Sequence, residues 1–273
     1  MLVSSRTPGF PLATHVESLW YYEDLETDHA KERMLPDGGM GLVIDLGDPP
    51  KKLYDRRDLR RYTHYRRCWV SGMQRSYIVI GAEPGSSMIG ARFRPGGAAA
   101  LFDFPLSELS DEVVELDLIW KNVILSLREQ LQEASGGEAK LDLLERFLAG
   151  RLQARPGPDR AIHAALARLR SWPVLRLRGL AAELGLSHKQ LISRFAAGVG
   201  LTPKLVSRLF RFRRTLLAAH AAGDGPVDWV GLAQEHGYFD QAHLIHEFQE
   251  FAGVTPTAYV AARTRYPFYL HLE

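Results

Sequence analysis

Apolar residues in the last third of the chain recur at three- and four-residue intervals, the spacing of one face of an α-helix. Leu180 and Leu184 lie four apart, and Gly185 follows at the point where a helix must end. Leu191 and Phe195 then restore the same spacing. The pattern predicts two short amphipathic helices that meet at a tight turn, which is a helix-turn-helix unit.

The same pattern occurs again about fifty residues later. LAAELGLSHKQLISRFAAGVGLTP covers residues 180–203, and LAQEHGYFDQAHLIHEFQEFAGVTP covers residues 232–256. Matching residues are 52 positions apart before one inserted residue and 53 apart after it. Two copies are too few for a solenoid, so we interpret them as a duplicated unit. The second helices are predicted over about 187–197 and 240–251, and a long helix over about 203–222 joins the units.

Polar residues that cap helices stand where these helices should begin. Ser187 is followed three residues later by Gln190, the spacing of a capping box, and Asp240 suits the same role in the second copy. Thr202-Pro203 and Thr255-Pro256 each place a capping hydroxyl before a proline that fits the first turn of a helix. These signals predict where each helix starts.

The first half of the chain has a different pattern. Short apolar segments bounded by Gly, Pro and Asp predict strands of a small sheet or barrel, at 41–46, 69–73, 77–82 and 88–93. Apolar residues at helical spacing then predict a helical hairpin over 117–153, interrupted by the turn at 135–137. The hairpin could pack on the barrel, form a homodimer, or do both.

These patterns predict an α+β protein with two domains, which its 273 residues also favour. The first, residues 1–153, is β-rich and barrel-like and includes the hairpin. Residues 154–158 form a hinge, because two prolines and a glycine cannot continue a helix. The second, residues 159–273, is an all-α domain of two helix-turn-helix units joined by a long helix.

Composition narrows the class of protein. The single cysteine, Cys68, excludes a disulfide framework and a cysteine-rich zinc site, and 46% hydrophobic residues fit an ordinary soluble protein. The N-terminus carries no export signal, and no apolar run is long enough to span a membrane. We therefore expect a cytoplasmic protein with no membrane partner.

Charge is distributed unevenly along the chain. The net charge is only +2, yet residues 160–214 contain twelve Lys or Arg and one acid, Glu183. Such an excess on a helical segment favours a surface that faces phosphates, although a solvated basic face is the alternative. A second basic block at 51–67 fits an exposed mobile loop better than a DNA contact.

The phrases LAAELGLS (180–187), GLTP (200–203), GYFDQAHL (237–244) and GVTP (253–256) resemble the DNA-binding domain of AraC/XylS-type transcription regulators. The resemblance covers about 158–265 and implies that the second helix of each unit enters the major groove of DNA. LPDGGMGLVIDLG (35–47) and RFRPGGAAALFDFPLSEL (92–109) resemble an uncharacterised domain often fused ahead of it. In the wider family that region is commonly a cupin-like barrel that binds a small effector and dimerises.

We predict that polar residues of the two recognition helices, with two cations of the long helix, contact double-stranded DNA. They are Ser187, His188, Lys189, Gln190, Ser193, Arg194, Lys204, Arg208, Asp240, Gln241, His243 and His246. Ser193 and His246 stand where many relatives carry Arg. Base reading is therefore expected mainly from Gln241 and His243 and from Lys189-Gln190, while Arg194, Lys204 and Arg208 contact phosphate.

Effector residues are harder to predict. Trp20 and Tyr22 could line an aromatic pocket, although an aromatic cluster is more often core. Arg92 and Arg94 share one strand face, which favours an anionic effector if that face points inward. No cofactor is expected, and no metal either, because His236, His243 and His246 lack an acidic or cysteine partner at metal-like spacing.

The sequence thus predicts a DNA-binding transcription regulator of the AraC type, controlled by a small effector and not an enzyme. Its expected partners are DNA, the effector, a second copy of the chain and, for an activator, RNA polymerase. One alternative is a DNA-targeted enzyme, although Cys68 has no recognisable activating partner and no catalytic motif is present. Another is an architectural protein that binds DNA without sequence preference.

Overall fold

The computed structural model describes residues 2–47, 49–152, 159–171, 177–223 and 225–272. The predicted hinge at 154–158 lies outside these residues. In the N-terminal part, the predicted strands are present, but they form two antiparallel sheets rather than a closed barrel. The α+β fold class is confirmed.

The first sheet has the strand order β1-β2-β9-β4-β7-β10 and contributes most of the N-terminal core. Its strands are β1 (Leu2–Arg6), β2 (Val16–Glu23), β4 (Met40–Asp45), β7 (Cys68–Ser71), β9 (Met88–Phe93) and β10 (Val113–Glu115). In the central strand β4, buried residues alternate with half-buried ones over most of its length, as in a strand with one face on the core.

The second sheet has the order β11-β3-β8-β5-β6. Its strands are β3 (Lys31–Met34), β5 (Lys51–Tyr54), β6 (Tyr62–Tyr65), β8 (Ile78–Gly81) and β11 (Tyr269–Leu272). The prediction of a loop across the basic block is therefore wrong, because β5 and β6 form a hairpin there. Its tyrosines favour strands, and the Lys52 ammonium lies 5.0 Å from the centre of the Tyr62 ring.

The strand β11 comes from the other end of the chain. It pairs antiparallel with β3, so that Tyr269 lies opposite Met34 and His271 lies opposite Glu32. The predicted all-α C-terminal domain does not extend to these residues. The last strand of the chain instead completes the edge of the N-terminal second sheet.

The predicted helical hairpin consists of α1 (Leu116–Trp120), α2 (Asn122–Glu133) and α3 (Gly137–Leu152). Its apolar stripes face the first sheet, and Leu131, Leu141 and Leu144 are fully buried. The hairpin therefore packs on the sheet. A homodimer through it stays a prediction, for which only Leu118 and Val123 remain as large exposed apolar side chains of α1 and α2.

The C-terminal part is helical and contains both predicted helix-turn-helix units. Its helices are α4 (Arg160–Ser171), α5 (Leu177–Glu183), α6 (His188–Val199), α7 (Pro203–Ala221), α8 (Trp229–Glu235), α9 (Gln241–Ala252) and α10 (Pro256–Ala262). The first unit is α5–α6, the second is α8–α9, and α7 is the long connecting helix. Among the described residues, no helix is long and apolar enough to cross a membrane.

Candidate nucleic-acid interface and effector cavity

The turns of the two units are built in the same way. Gly185 and Gly237 have φ values of 66° and 73°, which favour glycine, and each ends the first helix of its unit. The residues that follow them, Leu186 and Tyr238, each donate their backbone N–H to the carbonyl five residues earlier, at 2.9 Å. The duplicated motif therefore gives duplicated backbone geometry.

The predicted caps begin both recognition helices, α6 and α9. Gln190 N–H donates to the Ser187 hydroxyl at 3.2 Å, and Ser187 N–H donates to the Gln190 side-chain oxygen at 2.8 Å. The capping box is confirmed. In the second unit, the Asp240 carboxylate accepts from His243 N–H at 2.8 Å. The side chains of Ser187, Gln190 and Asp240 thus stabilise helix starts, whatever else they contact.

The inserted residue of the second copy is Phe239. The turn bonds keep the 52-residue offset as far as Tyr238, and the caps follow the 53-residue offset from Asp240 onward. The Phe239 side chain is 92% exposed, directly before α9. Sequence reasoning missed it, although the change of offset marked its position. An exposed aromatic side chain at this point can make apolar contact with a thymine methyl group.

In the first unit, the N-terminal half of α6 presents an exposed polar face. His188, Lys189 and Ser193 are exposed, and Leu191 is buried as predicted. Arg194 is also exposed, but its guanidinium donates to the Asp159 carboxylate just before α4, at 2.9 and 2.8 Å. The free part of this face is therefore centred on Lys189.

In the second unit, Gln241 and His246 are exposed on α9. His243, predicted to point outward, is half-buried instead. Its Nδ1 accepts from Phe239 N–H at 3.2 Å, and its Nε2 lies 3.4 Å from Glu247 Oε1. Gln241, His246 and Phe239 therefore form the accessible face of this recognition helix.

Arg208, predicted to contact phosphate, is engaged within the protein. Its Nε donates to Glu247 Oε1 at 2.7 Å, Arg211 Nη2 donates to the same oxygen at 2.7 Å, and Arg208 also bonds Glu250. We call these four residues the Glu247 cluster. It fastens α7 to the second recognition helix. Lys204, one turn earlier on α7, is exposed.

The Glu247 carboxylate is only 3% exposed. Burial would raise its pKa, but the hydrogen bonds from Arg211 and Arg208 outweigh burial and hold the pKa below its ordinary value. The carboxylate is therefore ionised at neutral pH, and the cluster stays paired.

His236 has a structural environment. Its ring is buried, and Nδ1 lies 2.9 Å from the Thr215 hydroxyl. Burial lowers the pKa of His236, so the imidazole is held neutral. His236, His243 and His246 are not among the described groups whose ligand atoms are close enough to share one metal ion.

The N-terminal part contacts the C-terminal end of each recognition helix. At the end of α6, the Ser110 hydroxyl donates to the Gly200 carbonyl. At the end of α9, Ser76 Oγ donates to Glu250 O (2.9 Å), Tyr77 N to Phe251 O (2.9 Å) and Arg33 Nη1 to Ala252 O (3.2 Å). We call these bonds the helix-end contacts. They satisfy carbonyls that a helix leaves open at its end.

A cavity of about 1350 Å³ lies between the two sheets. Its wall is mostly apolar and includes Trp20 and Tyr22, whose rings stack at 5.8 Å between centroids. Phe268 and Tyr269, which follow the second unit, also line it. The two predicted aromatic residues are thus placed at a cavity large enough for a small molecule.

Of the arginines around this cavity, Arg92 is paired. It donates from Nε to Glu17 at 2.9 Å and also bonds Asp37. Arg94 is outside the main cavity and lines a smaller pocket of about 300 Å³ at the domain junction. The sequence missed Arg213 of α7, which lines both. The Arg213 guanidinium lies 6.0 Å from the centre of the Phe268 ring, and the nearby Glu17 carboxylate attracts it.

The only cysteine is unsuited to nucleophilic chemistry. Cys68 is buried, and burial raises the pKa of its thiol to about 12. The reactive thiolate is therefore scarce at neutral pH.

The fold thus defines a protein with a two-sheet N-terminal part and a double helix-turn-helix. Residues 4–115 match the family model of a domain of unknown function, DUF6597. This match confirms the prediction of an uncharacterised N-terminal domain. No match to a curated protein was found.

Solved structures that are similar to the chain include ToxT, the C-terminal domain of AraT, and CuxR. ToxT from Vibrio cholerae is 10% identical with a TM-score of 0.49, and the match covers 96% of this chain and 98% of that one. The C-terminal domain of AraT, a response regulator from Geobacillus stearothermophilus, is 19% identical with a TM-score of 0.35. The match covers 40% of this chain and 91% of that one. The AraC-like transcriptional activator CuxR is 17% identical with a TM-score of 0.33, and the match covers 85% of this chain and 91% of that one.

Proposed function

We propose that this protein is a sequence-specific DNA-binding transcription regulator of the AraC type, controlled by a small effector. The observation that carries the proposal is the pair of recognition helices. Both begin with an exposed polar face and end on hydrogen bonds from the N-terminal part. Such an arrangement suits two recognition helices that contact DNA and whose relative position depends on a regulatory domain.

The exposed side chains suit base and phosphate contacts. Gln241 can bond adenine bidentately, Lys189 can reach guanine, and His246 offers one further hydrogen bond to a base edge. Lys204 suits a phosphate contact, and the net positive charge of residues 160–214 favours the approach of DNA. We do not assign Arg208 to phosphate, because the Glu247 cluster already uses its guanidinium.

The effector proposal rests on the cavity between the sheets. Its aromatic wall suits an apolar body, and the half-buried Arg213 suits one anionic group on the ligand. Because Phe268 and Tyr269 line the same cavity, a bound molecule touches the segment that directly follows α10. Occupancy can therefore bias the position of the second unit relative to the N-terminal part.

DNA binding is tested by selecting duplexes from a random pool with the full chain and then titrating the selected and scrambled duplexes at one salt concentration. We expect an enriched motif that binds at least about 10³-fold more tightly than scrambled DNA. Equal affinity for both duplexes would instead identify an architectural protein, and failure to bind any duplex at low salt would refute DNA binding altogether.

The effector cavity is tested with 8-anilinonaphthalene-1-sulfonate, a fluorescent apolar anion. Trp20→Ala and Arg213→Gln should both weaken its binding to the full chain, because they remove part of the aromatic wall and a cation that lines the cavity. Arg214→Gln is the matched control, since this exposed neighbour lines only the smaller pocket. Equal binding by all variants would place the dye elsewhere and contradict the cavity proposal.

A further inference from the structure

At the edge of the second sheet, two histidines from opposite ends of the chain lie against each other. His29, just before β3, stacks on His271 of β11 with 3.6 Å between ring centroids. Asp28 and Glu32 are beside them. One ligand atom each from Asp28, His29 and His271 lies within 4.8 Å of the other two. Two histidine nitrogens and a carboxylate oxygen are therefore close enough together to share one ion. Because the two rings stack in nearly parallel planes, the exposed His271 ring must turn for both lone pairs to reach it.

The contacts of His29 show which of its nitrogens is free to bind an ion. Nε2 lies 2.9 Å from Glu32 Oε1, and Nδ1 lies 3.0 Å from both Asp28 Oδ1 and Thr27 Oγ1. A neutral imidazole carries one proton, so it can donate to only one of the two carboxylates. With that proton on Nε2, Glu32 accepts it, and the lone pair of Nδ1 faces the Asp28 oxygen.

A lone pair and a carboxylate oxygen at this distance repel each other unless a cation lies between them. The cation can be a second proton on the imidazole or a metal ion. Two carboxylates, Asp28 and Glu32, lie within hydrogen-bond distance of the one imidazole of His29, so this place favours positive charge. His271 adds a nitrogen ligand that a protonated His29 would not use.

We propose that Asp28, His29 and His271 bind one divalent transition-metal ion of the Zn²⁺ type. Nitrogen and carboxylate ligands suit Zn²⁺, which binds them at about 2.0–2.2 Å in a tetrahedral arrangement. Water completes the fourth position. Asp28 can close on the ion without repacking, because its side chain is 93% exposed.

Glu32 is a positioning residue in this site. Histidines that bind metals usually donate their other ring N–H to a carboxylate, which fixes the tautomer and the ring orientation. The bond from His29 Nε2 to Glu32 Oε1 is of this kind. Glu32 also lies opposite His271 in the pairing of β3 with β11, so it stands at the junction that the ion would bridge.

The metal site would fasten the end of the chain to the N-terminal sheet. His271 belongs to β11, which follows the second helix-turn-helix unit, whereas Asp28 and His29 precede β3. All three residues line the large cavity. An ion that binds the folded form stabilises the pairing of β11 with β3 by mass action. This inference does not depend on the proposed DNA-binding function.

Isothermal titration of untagged, chelator-treated full chain with ZnCl₂ tests the site. We expect about one equivalent to bind in the wild type, and that binding to be lost in His271→Ala. Asp28→Asn should weaken binding, and Glu32→Gln should weaken it about 10–100-fold. His64→Ala is the matched control, because His64 is an exposed histidine of the same sheet, on β6, and should leave binding unchanged.

Circular dichroism verifies that each variant is folded. If His271→Ala fails to fold, Asp28→Asn decides the matter, since its exposed side chain contributes little to folding. The proposal is overturned if the wild type binds no Zn²⁺. It is also overturned if Asp28→Asn and His271→Ala both bind Zn²⁺ like the wild type.

Hydrogen exchange gives a second readout that is independent of the heat of binding. At the same Zn²⁺ concentration, the ion should slow amide exchange in β11 of the wild type more than in Asp28→Asn. Slowing of equal size in both proteins would show that the ion acts from another place, which contradicts the proposal.

Discussion

The two helix-turn-helix units have the same turn and the same cap geometry, yet their recognition helices are held differently. Arg194 of α6 pairs with Asp159 at the surface, where the two side chains are 44% and 34% exposed. In α9, Glu247 is 3% exposed and bonds two arginines of α7. Local sequence therefore builds two equal units, and the surrounding structure makes the second one more firmly anchored.

The exposed faces also differ. The first unit presents Lys189 with His188 and Ser193, whereas the second presents Gln241 and His246 with the inserted Phe239. Three helix-end contacts hold α9, compared with the single Ser110 bond at the end of α6. We expect the first face to contribute charge and the second to contribute most of the base selectivity.

The largest effect is expected from breaking the Glu247 cluster. Glu247→Ala leaves Arg208 and Arg211 without their buried partner, so the free energy of unfolding should fall by about 3–5 kcal/mol. Arg194→Ala removes the exposed pair of the first unit and should cost only about 0–1 kcal/mol. Urea denaturation of both variants measures the difference. Equal losses would show that the two helices are anchored equally.

The next effect concerns base reading. Gln241→Ala should weaken binding to the selected duplex by about 1–3 kcal/mol and relax the preference at one base pair. The control is Gln249→Ala, because Gln249 is an exposed glutamine near the other end of α9. Titration against matched and mismatched duplexes measures both quantities. An equal loss of affinity for every duplex would show that Gln241 contacts the DNA backbone rather than a base.

A smaller effect is expected from the inserted aromatic residue. Phe239→Ala removes an exposed side chain, so the free energy of unfolding should change by no more than about 0.5 kcal/mol. Affinity for the selected duplex should fall by about 1 kcal/mol, and most strongly where a thymine methyl group is contacted. Replacing that thymine by uracil should remove the difference between wild type and variant. If the difference persists, Phe239 does not contact the methyl group.

The smallest effect is on pH dependence, since only the difference between the folded and unfolded pKa of one group contributes. The folded pKa of Glu247 lies below its ordinary value of 4.5. Its stabilisation is therefore complete above about pH 5.5 and is lost as the pH falls through the folded pKa. Glu247→Gln should show a shallower loss of stability between about pH 5.5 and pH 3. Parallel curves for the two proteins would count against an ionised, paired Glu247.

The sequence by itself determined the two helix-turn-helix units, their caps and their turns, together with three of the six strands of the first sheet. These features depend on residues within a few positions of one another, such as Ser187 with Gln190, so short-range periodicity and capping chemistry reveal them. Even Phe239 was marked by a change of offset, although only the structure showed its exposure.

The tertiary structure decided everything that joins distant parts of the chain. Nothing in the sequence indicated that β11 would pair with β3, that Arg208 would bond Glu247 instead of phosphate, or that His29 would contact His271. The last pair is 242 residues apart in the chain. Contacts over such separations leave no periodic pattern, because they depend on which surfaces remain to be covered once the local elements have formed.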